Sequence, residues 1–484
     1  MKKIIIIGGG IAGLAAAYRI QRKISEGADL ECILLEGSGR FGGKIFTEKS
    51  DGFIIERGPD SFISQKPATI QLCKQLGLED RLIGTNPGTP STFVYTNGKL
   101  VTMPDGLSLM IPTKFLPFAL TSLFSLSGKI RMALDLFIPR KDGDSDESLA
   151  SFVRRRMGEE ALNKMAEPML AGIYASDPEK MSIGSTFPMF VETERKYRSL
   201  IIGMLARKKA LLVSANTDVT MNTGKRPTTS YSLFMTLKEG LGEIVDAIIK
   251  KSPDVQFKPD AKVSALEKQN HGWHISLANG SECHADAVII ATPGSITKKI
   301  IKPIAPELAE LFERIHYVST ATVTLGYKKE GFSHPLDGFG FVVPKAEGKS
   351  ILACTWTSSK YPHRAPEGYV MLRCYLGGAL HEEIAEKDAE TLQTLVRNDL
   401  QEIMGVKETP VFCRVFKNHK ANVQYHVNHS EIIDSIMENL KKFPGLFLVG
   451  SSYRGIGIPD CIQSGNQAAE ATVELLNAKS EKTI

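Results

Sequence analysis

Near its N-terminus the chain spaces three glycines, Gly8, Gly10 and Gly13, as Gly-x-Gly-x-x-Gly, with Gly9, Ile11 and Ala12 inside the same turn. Backbone without side chains can turn tightly, bring N–H groups up to a diphosphate and let a helix pack closely on a strand. An acid, Glu36, stands 23 residues beyond Gly13. A carboxylate there accepts hydrogen bonds from ribose hydroxyls and repels a 2′-phosphate. A second glycine-rich turn, Gly37-Ser38-Gly39-Arg40-Phe41-Gly42-Gly43-Lys44, adds two cations, and Arg57-Gly58-Pro59-Asp60-Ser61 follows. One nicotinamide dinucleotide needs no second cradle. A ligand laid along the chain well beyond its diphosphate does.

A third turn lies far downstream, Gly450-Ser451-Ser452-Tyr453-Arg454-Gly455-Ile456-Gly457-Ile458-Pro459-Asp460. Pro459 suits the first turn of the helix that follows. A helix N-terminus offers unpaired N–H donors and a partial positive charge, which would stabilise negative charge arising on a bound ring.

The elements that must position these turns are legible in the apolar pattern. Ile4–Ile7 is a short β-branched run of the kind found in buried parallel strands, Ile11–Lys23 continues with helical spacing, and Glu31–Leu35 is the next strand. Pro67–Leu82 reads as an amphipathic helix, and Asn97-Gly98 as the turn of a hairpin over Phe93–Met103. Glu147–Met165 reads as helix. Val255–Phe257, Lys262–Lys268, Trp273–Leu277 and Glu282–His284 read as a meander, with Ala287–Thr292 a further buried run. From about 300 to 440 strands and helices alternate, with strands at Ala321–Tyr327, Ser350–Trp356 and Tyr369–Tyr375 and a helix at Ala389–Met404. Leu446–Val449 is a last strand, and the helix after it runs to Leu476.

The predicted fold class is therefore α/β: a Rossmann-type domain, an α/β substrate domain and an inserted, mostly helical subdomain. The expected division is 1–65, 230–297 and 442–484 for the discontinuous dinucleotide-binding domain, 66–229 for the helical part and 298–441 for the substrate domain.

Composition narrows the class. The 484 residues carry a net charge of +5, too mild to argue for nucleic acid, with 42% hydrophobic and 23% charged residues, as in ordinary globular proteins. Seven cysteines, never spaced Cys-x-x-Cys, fit a reducing cytoplasm, exclude a disulfide framework or zinc site, and exclude flavin disulfide reductases. The apolar run at the N-terminus is too short for a signal peptide. Met103–Pro139 is rich in Leu, Phe, Met and Pro, and Phe115–Gly128 carries no charge. That is too short to span a bilayer, which takes about 20 residues. It reads either as a helical unit packing on itself or as a greasy substrate gallery or membrane-facing surface.

The double glycine after the ribose-binding glutamate resembles the amine-oxidase-like flavoprotein superfamily. The resemblance implies FAD, with its adenosine half at Glu36 and its diphosphate near Gly8–Gly13 and Arg40. Implied cofactor contacts extend over Gly37, Gly42, Gly43, Lys44, Gly58, Pro59, Asp60, Ser61, Val263, Ala291, Gly450, Gly455, Ile456, Gly457 and Ile458. Three further stretches resemble the protoporphyrinogen and coproporphyrinogen oxidases: Pro168–Ser182, with Gly172-Ile173-Tyr174-Ala175-Ser176-Asp177-Pro178; Thr355-Trp356-Thr357-Ser358-Ser359-Lys360; and Gly455–Gly465. Ser176, Lys417-Asn418 and Asn422–His429 depart from the commoner pattern, near the expected porphyrin cavity.

That family implies oxidation of a porphyrinogen with oxygen as acceptor, in heme biosynthesis, with hand-over to other enzymes of that pathway. The flavin carries the chemistry, so no catalytic side chain is named; the ten histidines are read as structural or surface residues, with His363 and His429 kept as candidates. Gly172 and Tyr174 are the substrate positions implied by the resemblance, with Lys66, Arg195, Lys196 and Arg198 as candidate partners for propionates. Coproporphyrinogen III is the favoured substrate, because Thr-Trp-Thr-Ser-Ser-Lys is a segment of the bacterial members. The alternatives are protoporphyrinogen IX, an amine oxidase or carotenoid desaturase, and a flavin-binding sensor without turnover.

Overall fold

The computed structural model describes residues 1–88, 91–104, 107–108, 111–112, 115–207, 209–210, 231–270 and 272–481. The polar stretch Ser214–Thr229 lies outside them. At the centre is a five-stranded parallel sheet, ordered Val255–Lys258, Leu30–Leu35, Lys2–Ile7, Ala287–Ile290, Leu446–Leu448. Ile4 pairs with Cys32 on one side and Ala287 on the other. Alternate residues of the first strand feed two separate cores, Ile4 and Ile6 into one and Ile5 and Ile7 into the other, which is why the whole run is apolar.

The chain leaves the first strand for a neighbour on one side and returns later to a neighbour on the other. This switch point opens a crevice at the carboxyl ends of the strands, where Gly8–Gly13 sits. Val255–Lys258, expected in the meander, is instead the sheet's edge strand beside Leu30–Leu35. The meander itself has three strands, Val263–Gln269, Gly272–Leu277 and Glu282–Ala285.

Helix Ile11–Ser25 packs against the C-terminal helix Ile458–Glu481. The crossing is close: a Cβ on Gly465 would collide with the Ala12 carbonyl oxygen. Arg19 and Glu470 tie the two helices with an ion pair of 2.6 Å.

The second sheet has seven strands, in the order Phe412–Gln424, His316–Lys328, Tyr369–Gly377, Ile351–Trp356, Gly340–Val342, Thr92–Thr96, Lys99–Thr102. All its neighbours are antiparallel except Gly340–Val342 with Thr92–Thr96. The hairpin Thr92–Thr102 thus joins strands that come more than two hundred residues later. One face of this sheet is apolar, with Ala321, Val323, Leu325, Leu372 and Cys374 buried in a core shared with helix Ala389–Met404. The alternate positions, Thr320, Thr322, Thr324 and Arg373, are polar.

Two expected helices end early at glycines with positive φ. Ala68–Leu76 stops at Gly77 (φ 74°), where the Leu78 amide donates to the Cys73 carbonyl at 2.8 Å. The segment expected as one helix over Glu147–Met165 breaks at Gly158 (φ 93°). It becomes Leu149–Arg156, a short turn, a π-helical stretch Leu162–Ala166 and then Glu167–Tyr174.

The helical part packs on itself around Leu149, Phe152, Leu162, Met165 and Phe190. Its buried polar centre is Arg156, fully enclosed, with Nε donating to Asp135 at 2.7 Å. It also exposes Leu126, Ile130, Leu134 and Phe137 at helical spacing, together with Leu116 and Leu120. Among the described residues no helix is long and apolar enough to cross a membrane.

Candidate active site

Each glycine of the first turn has a separate steric reason. At Gly8 (φ 109°) the missing Cβ would press on the Ala291 backbone at 3.0 Å, and at Gly13 it would strike the Gly8 carbonyl oxygen. These two hold the turn against the sheet. Gly10 differs: its Cβ position has no atom within 4 Å, and its backbone is extended (φ −72°). The space in front of it is open, with room for a bound group. Ile11 and Ala12 open the helix whose N–H groups face that space.

Glu36 closes the crevice. Its Oε2 accepts from the Gly9 amide at 2.7 Å, and its Oε1 accepts from the Ser38 amide and hydroxyl, both at 2.8 Å. The Gly42 amide donates to the Gly9 carbonyl at 2.8 Å, docking the second turn on the first. Gly42 and Gly43 have φ of 104° and 58°. Gly43 approaches Gly10 and Gly58 approaches Lys44, so three segments from separate parts of the sequence form one continuous wall.

Cations gather along this wall. Arg40 donates to the carbonyls of Gly43 (2.6 Å) and Ile45 (3.3 Å). Lys44 keeps an exposed surface, yet protein surrounds it closely enough that desolvation lowers its ammonium pKa, opposed by Cys461. Arg57 was not singled out in the sequence. Its guanidinium lies over the Phe416 ring at 5.6 Å, and it repels Arg40, whose pKa burial lowers first and Arg57 second. Neither arginine forms an ion pair among the described residues. Two such cations beside open glycine backbone are the chemistry a diphosphate calls for.

Beyond Gly58 the wall meets the second sheet. Arg373 Nη2 donates to the Gly58 carbonyl at 2.5 Å and to the Arg57 carbonyl at 3.2 Å. Lys360 Nζ pairs with Asp60 at 3.2 Å, and the Ser61 hydroxyl donates to Asp60 at 2.7 Å. Burial favours the neutral acid, but Lys360 and Arg373 outweigh it and hold the Asp60 carboxyl well below the usual range. Behind them Glu56 and Arg364, both buried, face each other at 3.4 Å.

The C-terminal turn comes in beside the cradle. Gly450 (φ 109°) lies near Ala12, and Gly455 (φ 84°) must lack a Cβ because the Asp460 carboxylate fills that place. Asp460 accepts from the Gly457 amide at 3.3 Å and pairs with Lys66 at 2.6 Å. The helix N-terminus therefore carries its own acid and a lysine, rather than dipole alone. Burial first, and Asp460 second, raise the Tyr174 phenol to about 12, so Asp460, the partner of Lys66, lies within electrostatic reach of Tyr174. Ile456 and Val263 belong to the core behind the turn.

The other predicted cations lie elsewhere. Arg195 pairs with Asp144 at 2.7 Å on the exposed surface of the helical part. Arg198 donates to the Leu136 carbonyl, and Lys196 lies over Tyr197. Gly172 packs against Ala353 of the second sheet. His429 is buried and bonded to the Tyr453 carbonyl at 3.0 Å, a structural histidine. Among the described residues no group of His, Cys, Asp and Glu could hold a metal ion.

A Rossmann crevice extended by a second glycine turn and closed by a strand–turn–helix from the far end of the chain defines a dinucleotide-binding flavoprotein fold. Comparison with known proteins agrees. The model of the flavin containing amine oxidoreductases matches residues 11–473, and the chain belongs to that family. It is 39% identical to coproporphyrinogen III oxidase of Bacillus subtilis (strain 168), over 98% of each chain. It is 32% identical to the protein of that name from Staphylococcus aureus, covering 98% of this chain and 99% of the other. Protoporphyrinogen oxidase 2 of Arabidopsis thaliana is 26% identical, over 99% of this chain and 95% of that one. Among solved structures, a protein from Exiguobacterium sp. 255-15 assigned as a protoporphyrinogen oxidase superposes with a TM-score of 0.83 at 31% identity, over 98% and 99% of the chains.

Proposed function

We propose that the protein binds FAD and oxidises coproporphyrinogen III to coproporphyrin III in heme biosynthesis. The observation that carries the choice of substrate is the end-to-end match to bacterial coproporphyrinogen III oxidases at 39% and 32% identity, against 26–28% for the plant protoporphyrinogen oxidases. Protoporphyrinogen IX is the second reading, favoured by 30% identity to the Bos taurus protoporphyrinogen oxidase over 97% of this chain. The amine-oxidase alternative would want a pair of aromatic side chains presented to a ligand. Tyr425 and Tyr453, at the C-terminal turn, are buried instead.

The residues present fit the cofactor. Glu36 would hold the ribose, and Gly10 with Arg40, Lys44 and Arg57 the diphosphate. Gly58–Ser61, together with the turn Gly450–Ile458, would flank the far end. FAD, when bound, would supply the hydride acceptor, with oxygen as the final electron acceptor. Six electrons leave the macrocycle in three rounds, so one porphyrinogen consumes three oxygens and yields three peroxides. No acid–base set is required of the chain, because aromatisation drives the reaction and the pyrroles exchange protons with solvent. Its own side chains bind, orient and exclude water.

Lys66 and Tyr174, each within reach of Asp460, are the chain's offering to a substrate carboxylate. Gly172 lets the helix bearing Tyr174 lie close on the second sheet. Arg195 and Arg198 would serve only at an outer rim. We place the protein in the cytoplasm, with the exposed row Leu126, Ile130, Leu134 and Phe137 as the surface for peripheral membrane contact. Product would pass to later heme-pathway enzymes. The test is anaerobic: coproporphyrinogen III should bleach the bound flavin within the turnover time, and oxygen should restore its colour. A flavin that stays oxidised would overturn the reading and favour a sensor without turnover.

A further inference from the structure

Two cations of the second domain converge on the segment Gly58–Ser61. Arg373, 4% exposed, spans the carbonyls of Arg57 and Gly58, and Lys360 reaches Asp60 from the end of the short helix Thr357–Lys360. Among the described residues Asp60 faces both of them, and Glu56 also feels Arg373. Glu56 and Arg364 behind them offset each other, and burial keeps the Tyr361 and Tyr375 phenols protonated. The cluster therefore buries one net positive charge, and Arg373 Nε has no hydrogen-bond partner. Burying unbalanced charge is unfavourable unless something nearby answers it. Gly10, Gly43, Lys44 and Gly58 follow one another along the wall. With the diphosphate at Gly10, a dinucleotide laid along that wall would bring its ring toward Gly58–Ser61.

We propose that Lys360 and Arg373 are positioning residues that set the reduction potential of the bound flavin, holding Gly58–Ser61 in place and favouring the negatively charged reduced ring. This rests on the FAD reading above. It gives the charged residues opposite signs of effect, which a merely structural clamp does not.

The experiment measures the potential of the purified holoenzyme against an indicator dye under anaerobic conditions. Lys360→Met should lower the equilibrium constant for two-electron reduction about tenfold, about 30 mV more negative. Asp60→Asn should shift it by a similar factor the other way, and Lys360→Arg should stay near the unmodified value. Arg373→Lys keeps the charge but loses the reach to two carbonyls, so it should weaken FAD binding while preserving the potential. Unchanged potentials in flavin-replete Lys360→Met and Asp60→Asn, or shifts of the same sign, would overturn the proposal. Unmodified protein that binds no flavin would overturn the FAD reading along with it. A flavoprotein inert toward coproporphyrinogen would sink only the proposed substrate, and the potentials would still decide this inference.

Discussion

Gly10 and Gly13 stand three residues apart in one motif and do opposite things. Gly10 faces space, so Gly10→Val should leave the fold intact and fill the ligand's place; flavin absorbance per protein should fall to near zero while the melting temperature of flavin-stripped protein stays put. Gly13→Ala forces a methyl into the Gly8 carbonyl, and overpacking of that kind costs about 1–3 kcal/mol. Its melting temperature should drop with or without flavin. Glu36 accepts three hydrogen bonds in the crevice, and in the proposed reading the same carboxylate would hold the ribose. Losing a hydrogen bond to a charged group costs about 1.5–3 kcal/mol, so Glu36→Ala should weaken FAD about 10- to 200-fold in a fluorescence titration. At this scale the turn was legible because its meaning is local: strand, glycines and acid follow in order. Arg57 and Arg373 were not. Arg373 finds Gly58 from 315 residues away, and no spacing rule connects a strand residue of the second sheet to a carbonyl of the glycine-rich wall.

Among the elements, the C-terminal helix does most to complete the site, since it brings Gly455, Asp460 and Cys461 to the cradle. Its seat depends on Gly465 against Ala12. Gly465→Val should push the helix off Ile11–Ser25, lower the melting temperature by several degrees and weaken flavin binding together with it. A variant that melts like the unmodified protein would show that the crossing is slack. Four of the parallel strands and both flanking helices were readable, because strands buried on two faces are largely apolar; the edge strand Val255–Lys258, with Gln256 and Lys258, was read into the meander instead. The thirteen-residue strand Phe412–Gln424 was missed. It is a sheet edge, largely half-exposed, and its Arg, Lys, His and Asn residues hide the period of two. The breaks at Gly77 and Gly158 were missed for another reason: apolar spacing persists across them, and only the positive φ ends the helix.

Taken as a whole, the molecule buries His363, His426 and His429 enough to lower each to about 4, chiefly by desolvation. In the unfolded chain they titrate near about 6.5. Between those values the unfolded state binds more protons, so stability should rise with pH from about 4 to about 6.5 and then level off. Melting temperatures across that window should show the slope, and His429→Asn should flatten part of it. The make-up of the second sheet was the least legible from sequence, since the hairpin Thr92–Thr102 joins a sheet whose other strands follow residue 315.

That sheet meets the cradle at Gly58–Ser61, and the account stands on what is oxidised beside it. The most direct measurement is kcat/KM for coproporphyrinogen III and protoporphyrinogen IX in parallel, following porphyrin fluorescence with oxygen uptake. A higher kcat/KM for coproporphyrinogen III, with three oxygens consumed per porphyrin formed, is the predicted result. A higher value for protoporphyrinogen IX, or porphyrin formed without oxygen uptake, would contradict it.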